Sequence, residues 1–379
     1  MDETEVFGWK VTKFIKNTNY DFVRKKILSV CGEDNVDDAL NLISNWENYN
    51  STPLLELNKL SKKLNLNNIF YKDESKRFHL KSFKALGGAY AVEKVTKGNK
   101  SVTVATATAG NHGRSVSWGA QRLGLNCKIF ISEFVSEARA EVMRNLGADV
   151  IRVKGNYEAS LKECINQSQK YGWQIIQDVA WEGYEEVPKL TMAGYSVMIK
   201  EISDQTDQYI THVFLQAGVG GMASGSIAGI AKYFKRIPKI IIVEPEAADC
   251  VLKSVEAGVM KKIDIKKESI MGGMSCGEVS LVPWRILKNS VNNCISISDE
   301  NIAKTVAMLE KKHLSDEKII GGECATPGVI SLIAACEDEY IKKDLELDKN
   351  SNVLLMGCEG DADQDLYKKL LNEGVKQLI

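Results

Sequence analysis

Lys84 stands between an aromatic residue and a run of small and apolar ones, Ser82-Phe83-Lys84-Ala85-Leu86-Gly87-Gly88-Ala89, with no further charge until Glu93. A lysine set against an apolar helix start is a candidate for a depressed pKa. An amine that is neutral at neutral pH can form a Schiff base. Taken alone, the segment reads first as a solvated lysine on an amphipathic helix. Two further stretches gather small residues and backbone N–H groups where a strand gives way to a helix. Thr106-Ala107-Thr108-Ala109-Gly110-Asn111-His112-Gly113 follows Val102-Thr103-Val104-Ala105, and Gly218-Val219-Gly220-Gly221-Met222-Ala223 follows Val213-Phe214-Leu215-Gln216-Ala217. Each favours an anion, phosphate or carboxylate, at a helix N-terminus. The second also fits Gly-x-Gly-x-x-Gly/Ala, and Glu244 ends the next strand, where a dinucleotide site wants an acid on a ribose. Against the dinucleotide reading, the loop is glycine-rich beyond need, comes after several βα units and lacks an acid/base pair for hydride transfer. A phosphate cradle for a cofactor anchored elsewhere, or a plain tight turn, explains the same residues.

The elements that must position these groups follow an alternating pattern. Short β-type runs begin at Ile69, Val102, Lys128, Val150, Val213, Ile240 and Val353. Helix-like segments with apolar residues at 3.6 spacing cover 136–147, 156–171, 188–203, 222–235, 299–313 and 327–343. Strands alternating with helices predict βαβ units and an α/β fold with parallel sheet covered on both faces. Such sheets bind ligands in the loops after the strands. A third loop of that kind, Gly357-Cys358-Glu359-Gly360-Asp361, follows Val353-Leu354-Leu355-Met356. The first fifty residues are polar and mixed, and predict helices that cover the core or a partner.

At 379 residues, two domains are the natural expectation. With 49 basic and 50 acidic residues and no basic stripe, nucleic acid is not an expected partner. No apolar stretch is long enough to span a bilayer, and the N-terminus lacks the shape of a signal peptide, so a cytoplasmic protein is expected. The nine cysteines form no Cys-x-x-Cys pair and the four histidines are scattered, which predicts reduced thiols and no metal centre. Pairing of Cys250 with Cys276 stays open.

Lys84, the Asn111 loop and the Gly218 loop together resemble the fold type II pyridoxal-phosphate enzymes, the tryptophan synthase β and threonine dehydratase group. Within that group the chain is similar to the diaminopropionate ammonia-lyase family. The shared segments are Lys72-Asp73-Glu74-Ser75 with Arg77-Phe78, Phe83–Ala91, Gly110-Asn111-His112-Gly113-Arg114, Gln177-Asp178-Val179-Ala180-Trp181-Glu182-Gly183-Tyr184, Leu215–Gly220, Val243-Glu244-Pro245 and Glu359-Gly360-Asp361. They span about residues 40 to 375, and the Asp178–Tyr184 segment is the most specific of them. The resemblance implies two domains, each with a mostly parallel sheet flanked by helices. Residues 1–85 with 205–379 form the large cofactor-binding domain and 86–204 the small one.

The resemblance also implies residue roles. Lys84 holds pyridoxal 5'-phosphate as a Schiff base and, once released, protonates the departing β-amine. Asp178 takes the Cα proton of an L-substrate; its position alone reads rather as a helix-cap or loop carboxylate. Asn111 meets the cofactor's phenolic oxygen, and Gly218, Val219, Gly220, Gly221 and Met222 meet its phosphate. The substrate carboxylate falls to the loop that contains Thr106, Ala107, Ala109, Gly110 and His112, where His112 packs or hydrogen-bonds rather than acting as a base. Cys324 falls where the group places a neutral partner for the pyridine nitrogen, with Thr326 as the alternative and a buried structural cysteine as the plain reading. The implied reaction is elimination from a small amino acid, 2,3-diaminopropionate, to pyruvate and ammonia by a homodimer.

The chain departs from that family at Ala109, where the resembled enzymes carry an aspartate that serves the D-isomer. Alanine has no proton to exchange, so the L-isomer is the expected substrate. A dehydratase or β-replacement enzyme on another β-substituted alanine, and a weakly catalytic regulatory binding protein, are the alternatives.

Overall fold

The computed structural model describes residues 7–108 and 110–378; Ala109 lies outside the described residues. The strands are β1 (Lys13–Lys16), β2 (Leu54–Glu56), β3 (Asn68–Asp73), β4 (Thr103–Ala107), β5 (Asn126–Ser132), β6 (Asp149–Val153), β7 (Gln174–Ile175), β8 (His212–Gln216), β9 (Lys239–Pro245), β10 (Asn293–Ile297) and β11 (Asn352–Gly357). Seven of them form one sheet in the order β1-β10-β9-β8-β11-β3-β2, and four form a second in the order β6-β5-β4-β7. The smaller sheet is parallel throughout. In the larger, the five inner strands are parallel and the two edge strands, β1 and β2, run antiparallel. Every residue of β8, β10 and β11 is buried, as parallel strands sandwiched between helices require. All seven runs recognised in the sequence are strands.

Four strands escaped the pattern, and each has a reason. β7 has two residues and β2 three, too few to show a period. β10, Asn-Cys-Ile-Ser-Ile, mixes polar residues into a fully buried strand. β1 corrects the helical expectation for the N-terminus: helices Arg24–Cys31 and Glu33–Ser44 are present, but Lys13–Lys16 caps the edge of the large sheet against β10. Two predicted helices are each broken. Ser196 separates Glu186–Tyr195 from Val197–Gln205, its hydroxyl donating to the Ala193 carbonyl at 2.6 Å. Asp338 separates Pro327–Glu337 from Glu339–Leu345 and caps the latter by accepting from the Tyr340 and Ile341 amides.

Helix Lys84–Thr96 belongs to neither sheet and packs between helices Asn111–Leu123 and Glu186–Tyr195. The small residues after Lys84 allow this. A Cβ on Gly87 would lie 2.5 Å from the Thr191 carbonyl oxygen, and one on Gly194 would lie 2.7 Å from the Gly87 Cα. Ser115 pins the first turn from the other side, its hydroxyl donating to the Lys84 carbonyl at 2.6 Å and accepting from the Ala89 amide at 3.1 Å. The apolar run that looked like an ordinary helix start is therefore a close-packed three-helix contact that fixes where Lys84 begins.

Candidate active site

The loops after β4, β8 and β11 meet at the carboxyl ends of their strands and line one cavity of about 280 Å³. Lys84 and Asp178 enter it from opposite elements and form an ion pair and hydrogen bond, Nζ to Oδ2. The lysine side chain is 26% exposed and the aspartate 13%, so the pair faces the cavity rather than the core. Burial disfavours the Lys84 ammonium, but the Asp178 carboxylate beside it prevails and holds the lysine above its ordinary range. The expected depression of that amine is thereby corrected: the contacting carboxylate, invisible at the sequence positions near 84, outweighs the apolar setting. Burial alone would raise Asp178. The facing His112, if charged, and Lys84 with its hydrogen bond reverse that, and the carboxyl sits well below the usual carboxylate range. Asp178 is steered by its neighbour Gln177, whose side chain brackets Ala107 of β4 by accepting from its amide at 3.2 Å and donating to its carbonyl at 3.0 Å.

At the β4 loop, Thr108 accepts from the Gly110 and Gly113 amides at 3.1 Å each and so caps the turn into helix Asn111–Leu123. Ala107, Gly110, Asn111 and His112 line the cavity. Thr106 does not: it is fully buried in β4, and its hydroxyl donates to Gln177 Oε1 at 2.7 Å. Its inclusion among substrate contacts is corrected, since side chains alternate along a strand and position 106 faces the interior. Asn111 donates to Glu359 Oε2 at 2.7 Å, and Glu359 Oε1 accepts from the Cys324 amide at 3.1 Å. One carboxylate thus ties the small-sheet loop to the large-sheet loops.

The β8 loop, Gly218 to Met222, forms the opposite wall. Helix Gly221–Tyr233 starts without a side-chain cap, and its first turn closes only at the Ser224 amide, which donates to the Gly220 carbonyl. The preceding N–H groups are left to an anion. Gly220 has φ +94°, and a Cβ there would lie 2.6 Å from Leu287 Cδ1. Glu244, the ribose candidate of the dinucleotide reading, is instead fully buried and accepts from the Val251 and Leu252 amides at 2.8 and 2.7 Å. That acid closes a structural turn and does not line the cavity.

Cys324 lines the cavity and is 5% exposed. Burial first, then the Glu359 and Glu323 carboxylates, push its thiol far above the ordinary value and keep it protonated and neutral. Thr326 is fully buried and donates to the Glu323 carbonyl at 3.0 Å. All nine cysteines are free thiols, Cys250 and Cys276 included. Donor atoms of Glu323, Cys324 and Glu359 come within 4.8 Å of one another. Both Glu359 oxygens are occupied by Asn111 and the Cys324 amide, which suits a hydrogen-bonding hub better than a metal cage.

Sequence reasoning assigned no role to Glu359 or Glu323, although the first lies in the third flagged loop and the second adjoins Cys324. The loop 272–276 was not read as part of a site, Cys276 having been considered only for a disulfide; its Gly272, Gly273, Met274 and Cys276 line the cavity without any strand or helix period to announce them.

Comparison with known proteins shows which family the chain belongs to. A family described as "Pyridoxal-phosphate dependent enzyme" matches residues 46–357. Diaminopropionate ammonia-lyase of Escherichia coli is 35% identical over 352 residues, covering 86% of this chain and 88% of that protein. The chain belongs to the diaminopropionate ammonia-lyase family of pyridoxal-phosphate dependent enzymes. Its Salmonella typhimurium relative is 34% identical over 361 residues, covering 86% of this chain and 89% of that one. A crystal structure of the Escherichia coli enzyme with an aminoacrylate-PLP azomethine reaction intermediate superposes with a TM-score of 0.89 at 33% identity, covering 98% and 99% of the two chains. The cavity of this family member fits pyridoxal 5'-phosphate on its own terms. A lysine amine faces it, a glycine cradle with uncapped N–H groups suits a phosphate, and a neutral thiol is available to a ring nitrogen.

Proposed function

We propose that this enzyme eliminates ammonia from L-2,3-diaminopropionate, giving pyruvate and a second ammonia after hydrolysis. The contact between Lys84 and Asp178 inside the cavity carries the reading, because it sets a lysine and a carboxylate side by side where one substrate carbon can meet both. Lys84 would hold the cofactor, the amides of Gly218 to Met222 its phosphate, Asn111 its phenolic oxygen and Cys324 its ring nitrogen. When bound, the cofactor supplies a sink for the electron pair left on Cα.

The chain's own groups do the rest. Lys84 must shed a proton before Nζ can act as a nucleophile, and Asp178 Oδ2 is in contact to relay that proton to water in the open cavity, leaving the carboxylate ionised for the step that follows. With Lys84 engaged, Asp178 loses its partner cation, its carboxylate becomes more basic, and it takes the proton from Cα of the L-isomer. Lys84 Nζ, freed by the incoming substrate amine and taking up the proton that amine gives up, would donate it to the departing β-amine. Ala107 and Gly110, with their neighbours, border the space for the substrate carboxylate. The residue at 109 is alanine, so no carboxylate stands at that position to serve the D-isomer. Nine free thiols support a reducing compartment, and with it the cytoplasm.

The test is spectroscopic. Wild-type protein incubated with pyridoxal 5'-phosphate is expected to develop a visible absorbance band that persists through gel filtration, and Lys84→Ala is expected to lose it. Wild-type protein without such a band would overturn the assignment.

A further inference from the structure

His112 is fixed in one tautomer by a contact outside the cavity. Its Nε2 lies 2.9 Å from the Ile176 carbonyl oxygen, an acceptor only, so Nε2 carries the proton. Burial, and the nearby Lys84 cation, lower its affinity for a second proton against the pull of Asp178, so the ring stays neutral near pH 7. Nδ1 therefore presents a lone pair. It is buried, accepts no hydrogen bond among the described residues, and lies 3.6 Å from Asp178 Oδ2. A lone pair facing a carboxylate is an arrangement with a proton missing.

We propose that His112 is a positioning residue for the reaction, with Nδ1 receiving the O–H of Asp178 once that carboxylate has taken the Cα proton. The proposal rests on the function argued above. In the step, the Cα–H bond breaks, an Oδ2–H bond forms, the electron pair stays with the substrate, and the new O–H donates to Nδ1. The histidine gains no proton. It repels the lone pairs of unprotonated Asp178 and binds the protonated form, so it favours transfer and aims the acid. The Ile176 tether prevents the ring from turning its N–H toward Asp178, which would have the opposite effect.

Two variants separate this role from packing. His112→Asn places an amide oxygen near Nδ1 and gives up the Ile176 contact; His112→Gln reaches Ile176 and gives up the acceptor at Nδ1. With both shown to retain the visible cofactor band, His112→Gln is expected to lose about 10²-fold in kcat/KM for L-2,3-diaminopropionate and to gain a larger Cα-deuterium isotope effect, while His112→Asn stays within about tenfold of wild type. The reverse order, equal losses in both, or no loss in either overturns the proposal. A readout independent of turnover is the ring-nitrogen chemical shifts of His112 in protein without cofactor. They are expected to show N–H at Nε2 and a bare Nδ1, and Asp178→Asn, whose amide can donate, is expected to shift Nδ1. A proton found on Nδ1 in wild type overturns the proposal. Absence of a cofactor band would instead defeat the functional reading and leave the tautomer measurement standing.

Discussion

Asp178 shows how much a single side chain's role depends on partners far away in the chain. Its carboxylate lies well below the usual range because Lys84, distant in sequence, touches it as a cation and donates a hydrogen bond to it. Once the lysine is occupied, that stabilisation is gone and the same carboxylate is free to act as a base. Asp178→Asn keeps the shape and removes the basicity. Its kcat/KM for the L-isomer is expected to fall by about 10²- to 10⁴-fold, with the cofactor band retained, measured by pyruvate release. Lys84, Asn111, Asp178 and the Gly218 loop were legible because their flanking segments are distinctive. The sign of the Lys84 shift was not, since it depends on a contact across the fold. Thr106 was misplaced because membership of a loop was read without the alternation of the strand that leads into it. Glu359 is a comparable case: its segment was recognised, but its role as the link between Asn111 and Cys324 exists only in three dimensions.

Elements set these distances by close approach. Helix Lys84–Thr96 lies against its two neighbours through Gly87 and Ser115, and helix Gly221–Tyr233 starts from a left-handed Gly220 packed on Leu287. Gly220→Ala tests the second device. Alanine at φ +94° costs about 1–2 kcal/mol in backbone strain, and its Cβ would also press on Leu287. The phosphate loop is expected to shift, weakening pyridoxal 5'-phosphate binding at least tenfold, with a smaller drop in melting temperature; titration of the visible band measures the first. Long buried strands were readable from their apolar runs. The edge strand β1 was not, because its four residues are only partly covered and its pairing with β10 spans most of the chain.

For the whole molecule, buried acids couple stability to pH. Burial pushes Glu244 up to about 8 despite two amide donors, and burial with the Glu359 charge pushes Glu323 up to about 8. Each is protonated in the fold and ionised in the unfolded chain between the ordinary glutamate value, about 4.5, and about 8. Their contribution is full below the lower value and is lost as pH rises through the upper one. His112 and His212, lowered by burial, act oppositely but only below about 6.5. From neutral pH to pH 8 the glutamates dominate, and stability of the protein without cofactor is expected to fall by an amount on the order of 2 kcal/mol; nearer pH 9 the buried thiols, also raised by burial, add to the loss. Glu244→Gln is expected to flatten that slope in thermal unfolding. Two mostly parallel sheets with ligand loops at their carboxyl edges were foreseeable from alternating strands and helices. The field inside the cavity was not, since no sequence pattern says which carboxylates end up buried together. In the proposed reaction this field serves ammonia elimination through Lys84 and Asp178. The direct measurement is pyruvate and ammonia release from L-2,3-diaminopropionate by wild-type and Asp178→Asn protein, both carrying the visible band. Two ammonia per pyruvate from wild type, and a loss of at least about 10²-fold in the variant, are expected; no pyruvate from the loaded wild-type enzyme, or equal rates in both, would contradict it.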